Sequence, residues 1–391
     1  MQTPNYDDNS IVNLMSSILA HFEIESPYKP LKILNPNEFD ENETIILMII
    51  DGLGYNFLQK NGNNRENPSF LFKNLKGKIT SVFPTTTAAA MTSFYSGLAP
   101  QNHAVPAWFS YLKEIGMVST ILPFKTRGFD FSFEKNNIFP SDIFSFKSLF
   151  ASIKYDYLSI IPKNLKGSAY SNFVLEGSKQ IGFKNLNDFF KKISKAAFAK
   201  STKSKKYIIA YWPEFDAISH KKGVQSRVAF DHFREIDKRI LIFTSKMKEK
   251  SLKFRLIITA DHGLIDTIPE HTIWLKNHPK LKETLILPIC GEPRAPFFYV
   301  RPSKIEDFEN YVNSKLNHAG DLTKGEKLIL DHLFGLNECN SQIFERVGDY
   351  VLLMKENYIF RDQLIGENRH ELIGNHGGLS DDELFVPLIV I

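Results

Sequence analysis

Four separated segments carry acidic and imidazole side chains at spacings that suit metal ligation. Asp216 and His220 lie four residues apart, Asp261 and His262 are adjacent, and Asp51 and His376 each precede a glycine. On a helix, positions i and i+4 share a face, so Asp216 and His220 could hold one ion together. At a turn after a strand, neighbouring side chains diverge, so Asp261 could bridge or serve a different ion from His262. The donors are three carboxylates and three imidazoles, with no thiolate. Such a set suits zinc, whereas magnesium and calcium prefer oxygen alone. Six ligands are too many for one tetrahedral zinc but suit two ions with open positions. Singly, each fragment has a blander reading: a chance Asp-x-x-x-His pair, a strand-end helix cap, a surface histidine. The case rests on their combination.

A second segment could supply a nucleophile. Pro84-Thr85-Thr86-Thr87 favours an extended approach, Ala88 to Ser96 favours helix, and Gly97 is a natural residue just past a helix end. One of the three threonines therefore sits at a helix N-terminus. There the free N–H groups and positive dipole end attract a phosphate oxyanion and favour the alkoxide. A metal ion on the hydroxyl would lower its pKa further. The plainer reading is a threonine cap without chemistry.

The elements that must position these groups are legible as short apolar runs. Ile45–Ile50, Tyr207–Tyr211, Leu256–Ala260 and Val386–Ile391 have the composition of strands buried on both faces. Ala229, Phe233, Ile236, Ile240, Phe243 and Met247 recur at helical spacing, with Ser226 as N-cap. Strands alternating with helices predict an α/β fold with a mostly parallel central sheet. The first three runs end in Asp51-Gly52, in Trp212-Pro213-Glu214-Phe215-Asp216 and in Asp261-His262-Gly263. Open parallel sheets bind ligands at the carboxyl ends of their strands, so these clusters would share one edge. Residues 271–370, richer in Pro and Gly, read as a smaller α/β insertion or cap. A core of 1–270 plus 371–391 would then hold the metal site.

Length and composition are consistent with this. The 391 residues suit two domains or one large domain with an insertion. With 33 Phe beside 3 Trp, the phenyl rings read mainly as core filler. A net charge of +4 does not mark a binder of nucleic-acid polymers. The basic run from Lys200 to Lys206 reads as a solvated loop. The two cysteines, Cys290 and Cys339, form neither a disulfide framework nor a thiolate cluster. The acidic, polar N-terminus lacks a signal-like apolar run, and no segment reaches the ~18 apolar residues of a spanning helix. The expectation is a cytoplasmic chain without a membrane span.

In this order the motifs resemble the alkaline phosphatase superfamily, and within it the nucleotide pyrophosphatase/phosphodiesterase family. The likeness is carried by Asp51-Gly52, Pro84-Thr85-Thr86-Thr87 and Ser96-Gly97-Leu98-Ala99-Pro100-Gln101-Asn102-His103. It continues in Tyr211 with Asp216, His220 and Gly223, then Asp261-His262-Gly263 and His376-Gly377. The resemblance implies two zinc ions per chain, although other divalent metals could take the same donors. Asp51, Asp261 and His262 would hold one ion, which would also contact Thr87. Asp216, His220 and His376 would hold the other. The spacing to Gly97 selects Thr87 as the nucleophile that becomes phosphothreonine and is then hydrolysed. The implied substrates are small phosphodiesters or nucleotides.

Two positions depart from the family. Trp108 stands where the family has an asparagine that binds a phosphate oxygen, so Asn102 or a backbone N–H would have to substitute. Ala88 stands where the family often has an aromatic that stacks on a base, although Tyr211 matches a second aromatic near the base. A phosphoglycerate mutase or phosphopentomutase relative fits the threonine setting less well. A sulfatase would need a C/S-x-P-x-R segment, which Pro84–Thr87 is not. A phosphomonoesterase or phosphonate hydrolase would use the same groups. An inactive phosphate-binding module would be expected to lack a ligand or the nucleophile.

Overall fold

The structure is a computed structural model that describes residues 2–41, 43–129, 131–201, 203–367 and 371–391. Its main sheet has seven strands. In spatial order they are Leu75–Thr80, Phe385–Val390, Phe254–Thr259, Thr44–Ile50, Lys206–Trp212, Asp156–Pro162 and Lys179–Phe183. All run parallel except Phe385–Val390, which is antiparallel to both its neighbours. Every residue of Thr44–Ile50 and Lys206–Trp212 is buried. Strands covered on both faces need no polar alternation, hence their continuous apolar runs.

The helices form two groups. Ile11–His21 and Ala169–Val174 both pack on Thr87–Ser96, while Arg227–Glu249 packs on Leu186–Phe198, Phe70–Lys73 and Glu214–Lys222. Helix Arg227–Glu249 has Ser226 as its N-cap, with Oγ accepting from Ala229 N at 3.2 Å. The six residues of its apolar stripe, from Ala229 to Met247, are all buried. Among the described residues, no helix is long and apolar enough to cross a membrane.

Register delivers the chemistry. Ile50 pairs with Trp212, and Ile49 pairs with both Tyr211 and Thr259. Three parallel strands therefore end level, and Asp51, Asp216 and Asp261 leave the sheet along one edge.

The second sheet, also seven-stranded, is antiparallel. Residues 271–370 supply four of its strands, Cys290–Glu292, Ala295–Phe298, Gly320–Lys324 and Tyr350–Met354. Phe109–Leu112, Met117–Thr120 and Lys125–Thr126 extend it from an earlier part of the chain. The link is short: Gly291 pairs with Phe109. These earlier strands are brief and half-exposed, so they lack the apolar run that marks a buried strand.

A buried ion pair joins the second sheet to the site. Arg294 Nη2 lies 3.0 Å from Glu383 Oε2, with side-chain exposures of 1% and 0%. Arg294 also donates to the carbonyls of Lys355 and Tyr358, and Glu383 accepts from Gly378 N and Ser380 Oγ. The pair thus pins the turn that follows His376. Glu383→Ala should leave a buried guanidinium uncompensated and destabilise the fold by about 3–5 kcal/mol. Urea unfolding measures this; a change below about 1 kcal/mol would show that the pair is not integral to the fold.

Candidate active site

The six acidic and imidazole residues converge at the common strand edge. Asp216 and His220 lie on helix Glu214–Lys222, with Oδ2 and Nε2 3.2 Å apart. His262 Nε2 lies 3.4 Å from Asp261 Oδ2 and 3.6 Å from Asp51 Oδ1. The rings of His262 and His376 stack with centroids 3.8 Å apart, and His220 lies 5.1 Å from His376. Potential ligand atoms fall within 4.8 Å of one another in two overlapping groups, Asp216 with His220 and His376, and Asp51 with Asp216 and His262.

All three imidazoles are aimed the same way. His220 Nδ1 lies 2.7 Å from the Gly374 carbonyl, His262 Nδ1 3.1 Å from that of Gly263, and His376 Nδ1 2.9 Å from that of Thr85. A carbonyl only accepts, so each Nδ1 carries the proton and each Nε2 keeps its lone pair free for a ligand. Backbone orientation of this kind is the usual support of a metal-binding histidine.

The carboxylates are held just as firmly on one side and left open on the other. Asp51 Oδ2 accepts from the Tyr211 hydroxyl, and Asp261 Oδ1 accepts from Gly52 N and His262 N, both at 3.0 Å. Asp51 Oδ1, Asp216 Oδ1 and Asp261 Oδ2 are buried without a hydrogen-bond partner. Buried carboxylate oxygens are normally satisfied, and uncompensated buried charge is costly. Divalent cations meet both needs, so the donor set fits bound metal.

Electrostatics agree. Burial, and then the charges of Asp261 and Asp216, hold the Asp51 carboxyl well above its usual range. Burial would raise Asp216 too, but His220 and then His376 pull it below its ordinary value. His220 is raised by Asp216 against its own burial, whereas burial and neighbouring His262 lower His376.

The three threonines have separate tasks. Helix Thr87–Ser96 ends at Gly97, whose φ of +77° is the left-handed conformation glycine tolerates best. Thr87, its first residue, places Oγ1 3.2 Å from His262 Nε2. Thr85 Oγ1 donates to Gly378 O at 2.8 Å and accepts from Gly377 N at 3.1 Å. The Thr86 hydroxyl bonds the carboxylate of Glu292. Only Thr87 presents its hydroxyl to the ligand cluster.

The weaker substrate-contact residues are placed differently. Asn102 donates to the carbonyls of Leu336 and Glu338, and its side-chain oxygen accepts from Tyr28 and from Ala99 N. Both amide protons are committed to a loop, which leaves no donor for a phosphate oxygen. The Trp108 N–H is taken by Glu292 Oε1 at 2.7 Å. Tyr211 is turned inward on Asp51 rather than set out as a stacking platform.

Sequence reasoning passed over Glu292 and Glu383. Burial pushes the Glu292 carboxyl up to about 7, against hydrogen bonds from Thr86 and Trp108 N. Neither residue belongs to a recognisable spacing.

A family model for type I phosphodiesterase / nucleotide pyrophosphatase matches residues 45–379. The chain belongs to this family. Murine ectonucleotide pyrophosphatase / phosphodiesterase 5 has the same α/β, alkaline-phosphatase-like fold, with a TM-score of 0.66 at 16% identity over 88% of this chain and 87% of that one. The human counterpart aligns with a TM-score of 0.61 at 17% identity over the same shares. An inactive threonine-to-alanine variant of the murine protein, solved with AMP, gives 0.64 at 16% identity, again over 88% and 87%. No curated protein sequence matches. Membership makes this chain a hydrolase of the phosphodiesterase and pyrophosphatase class.

Metal binding should be visible in stability. Zinc at about a thousand times its dissociation constant should add roughly 4 kcal/mol, raising Tm by about 5–10 °C over chelator-treated protein in thermal scans. Protons compete for Asp51 and His220, both held above their ordinary values, so the shift should shrink as pH is lowered. An unchanged Tm would count against a metal site here.

Proposed function

We propose that this protein is a binuclear zinc phosphodiesterase or nucleotide pyrophosphatase that works through a phosphothreonine at Thr87. Asp51, Asp261 and His262 would hold one ion and Asp216, His220 and His376 the other, with Asp216 near both groups. The observation that carries the reading is the convergence of three unpartnered carboxylate oxygens and three oriented Nε2 atoms beside the Thr87 hydroxyl. Two divalent ions would supply Lewis acidity, lowering the hydroxyl's pKa and offsetting charge on the attacking and departing oxygens.

The chain's own groups supply geometry. Thr87 sits at a helix N-terminus, where backbone N–H groups and the dipole favour a phosphoryl oxygen. Oγ1 would attack phosphorus as the bond to the leaving alcohol or phosphate breaks, giving phosphothreonine. Attack by water on that phosphorus would restore Thr87 and release the phosphomonoester. Thr85 holds the Gly377–Gly378 turn and receives His376 Nδ1, so nucleophile loop and ligand loop are fixed to each other. A nucleotide substrate is supported by the AMP complex of the structural neighbour, whose threonine-to-alanine variant is inactive.

Thr87→Ala should lower kcat on bis(p-nitrophenyl) phosphate at least about a thousandfold, with fold and metal content intact. Retention of near-normal turnover would rule out the threonine mechanism. Asp216→Asn should lose one metal ion per chain, counted by elemental analysis, together with most activity. A panel of diester, pyrophosphate, monoester and phosphonate separates the proposed class from the superfamily alternatives; diester and pyrophosphate should be turned over fastest.

A further inference from the structure

Glu292 is a buried carboxylate beside this site that the metal assignment leaves unused. It comes from the second sheet, at the end of strand Cys290–Glu292, and is only 6% exposed. One oxygen takes the Trp108 N–H at 2.7 Å, and the carboxylate also holds the hydroxyl of Thr86, the residue just before the nucleophile. Its Cβ lies against Gly377, where φ is +115° and an added methyl would come within 2.5 Å. Its charge reaches His220. Glu292 is therefore wedged between Thr86 and the residue after His376, and it occupies the Trp108 backbone N–H.

Arg294, two residues on from Glu292, is neutralised by Glu383. Arg361 donates to Asn375 at 3.0 Å and feels the opposing charge of Glu371. A phosphodiester brings one negative charge to such a site, and a monoester dianion brings two. Above pH about 7, where its carboxyl is ionised, Glu292 repels the second charge in a medium of low dielectric. We propose that Glu292 makes the site select by phosphoryl charge, admitting singly charged diesters and disfavouring doubly charged monoesters. The inference rests on the phosphodiesterase reading and names the substrate feature that would set its specificity. It also gives a reason for the released monoester to leave.

The test uses the zinc-loaded full chain with bis(p-nitrophenyl) phosphate and p-nitrophenyl phosphate at one pH well above 7, where Glu292 is ionised. Glu292→Gln keeps the shape and can still accept from Trp108 N, while Glu292→Asp keeps the charge. The monoester-to-diester ratio of kcat/KM should rise about tenfold in Glu292→Gln and stay near the wild-type ratio in Glu292→Asp. A purely structural role would lower both activities without moving the ratio. In a Thr87→Ala background, where turnover is blocked, calorimetry with inorganic phosphate and with bis(p-nitrophenyl) phosphate should show the same relative gain for phosphate on adding Glu292→Gln. An unmoved ratio in both measurements, or equal shifts for Gln and Asp, overturns the inference. Failure of the wild-type enzyme to cleave either ester overturns instead the hydrolase reading beneath it.

Discussion

The structure depends on concentrated negative charge kept out of water. Asp51 and Asp261 are buried at one sheet edge beside the partly buried Asp216, and each of the three has a buried oxygen that no donor satisfies. Such an arrangement is unfavourable by itself. It makes physical sense as a site whose missing charge is supplied by cations and whose stability is linked to binding them. Other features of the site serve this one. Three histidines have their protons pinned on backbone carbonyls, a tyrosine is turned inward on Asp51, and two backbone N–H groups hold Asp261.

That cluster is assembled from pieces far apart in the chain. Parallel register brings three strand ends level, which places three of the donor segments side by side. The fourth, around His376, returns beside the final antiparallel strand and is fastened by Thr85 on one side and by Glu383 with Arg294 on the other. The second sheet thus holds the ligand loop from outside and brings Glu292 against the nucleophile loop. Rigid positioning of this kind is what in-line displacement needs.

Much of this was legible in the sequence, for identifiable reasons. Doubly buried strands must be continuously apolar, so Thr44–Ile50, Lys206–Trp212 and Phe254–Thr259 announce themselves and fix where their Asp residues emerge. The i, i+4 pair on Glu214–Lys222 and the Thr87–Gly97 helix follow from local rules of spacing and capping. Strands Leu75–Thr80 and Lys179–Phe183 lie at the sheet margins, carry Lys and Gly, and gave no such signal. The antiparallel sheet drew on residues 109–126 through a single pairing at Gly291, which no local pattern encodes. The work of Glu292, Glu383 and Tyr211 depends on partners up to 184 residues away. Asn102 looked like a free donor near the motif and proved to be committed to Tyr28 and the 336–338 loop.

The most direct test is crystallographic. Crystals of zinc-loaded protein, measured on both sides of the zinc absorption edge, should show two anomalous peaks about 3.5–4 Å apart. One should be ringed by Asp51, Asp261, His262 and the Thr87 hydroxyl, and the other by Asp216, His220 and His376. A single peak elsewhere, or none among these seven side chains, would contradict the account.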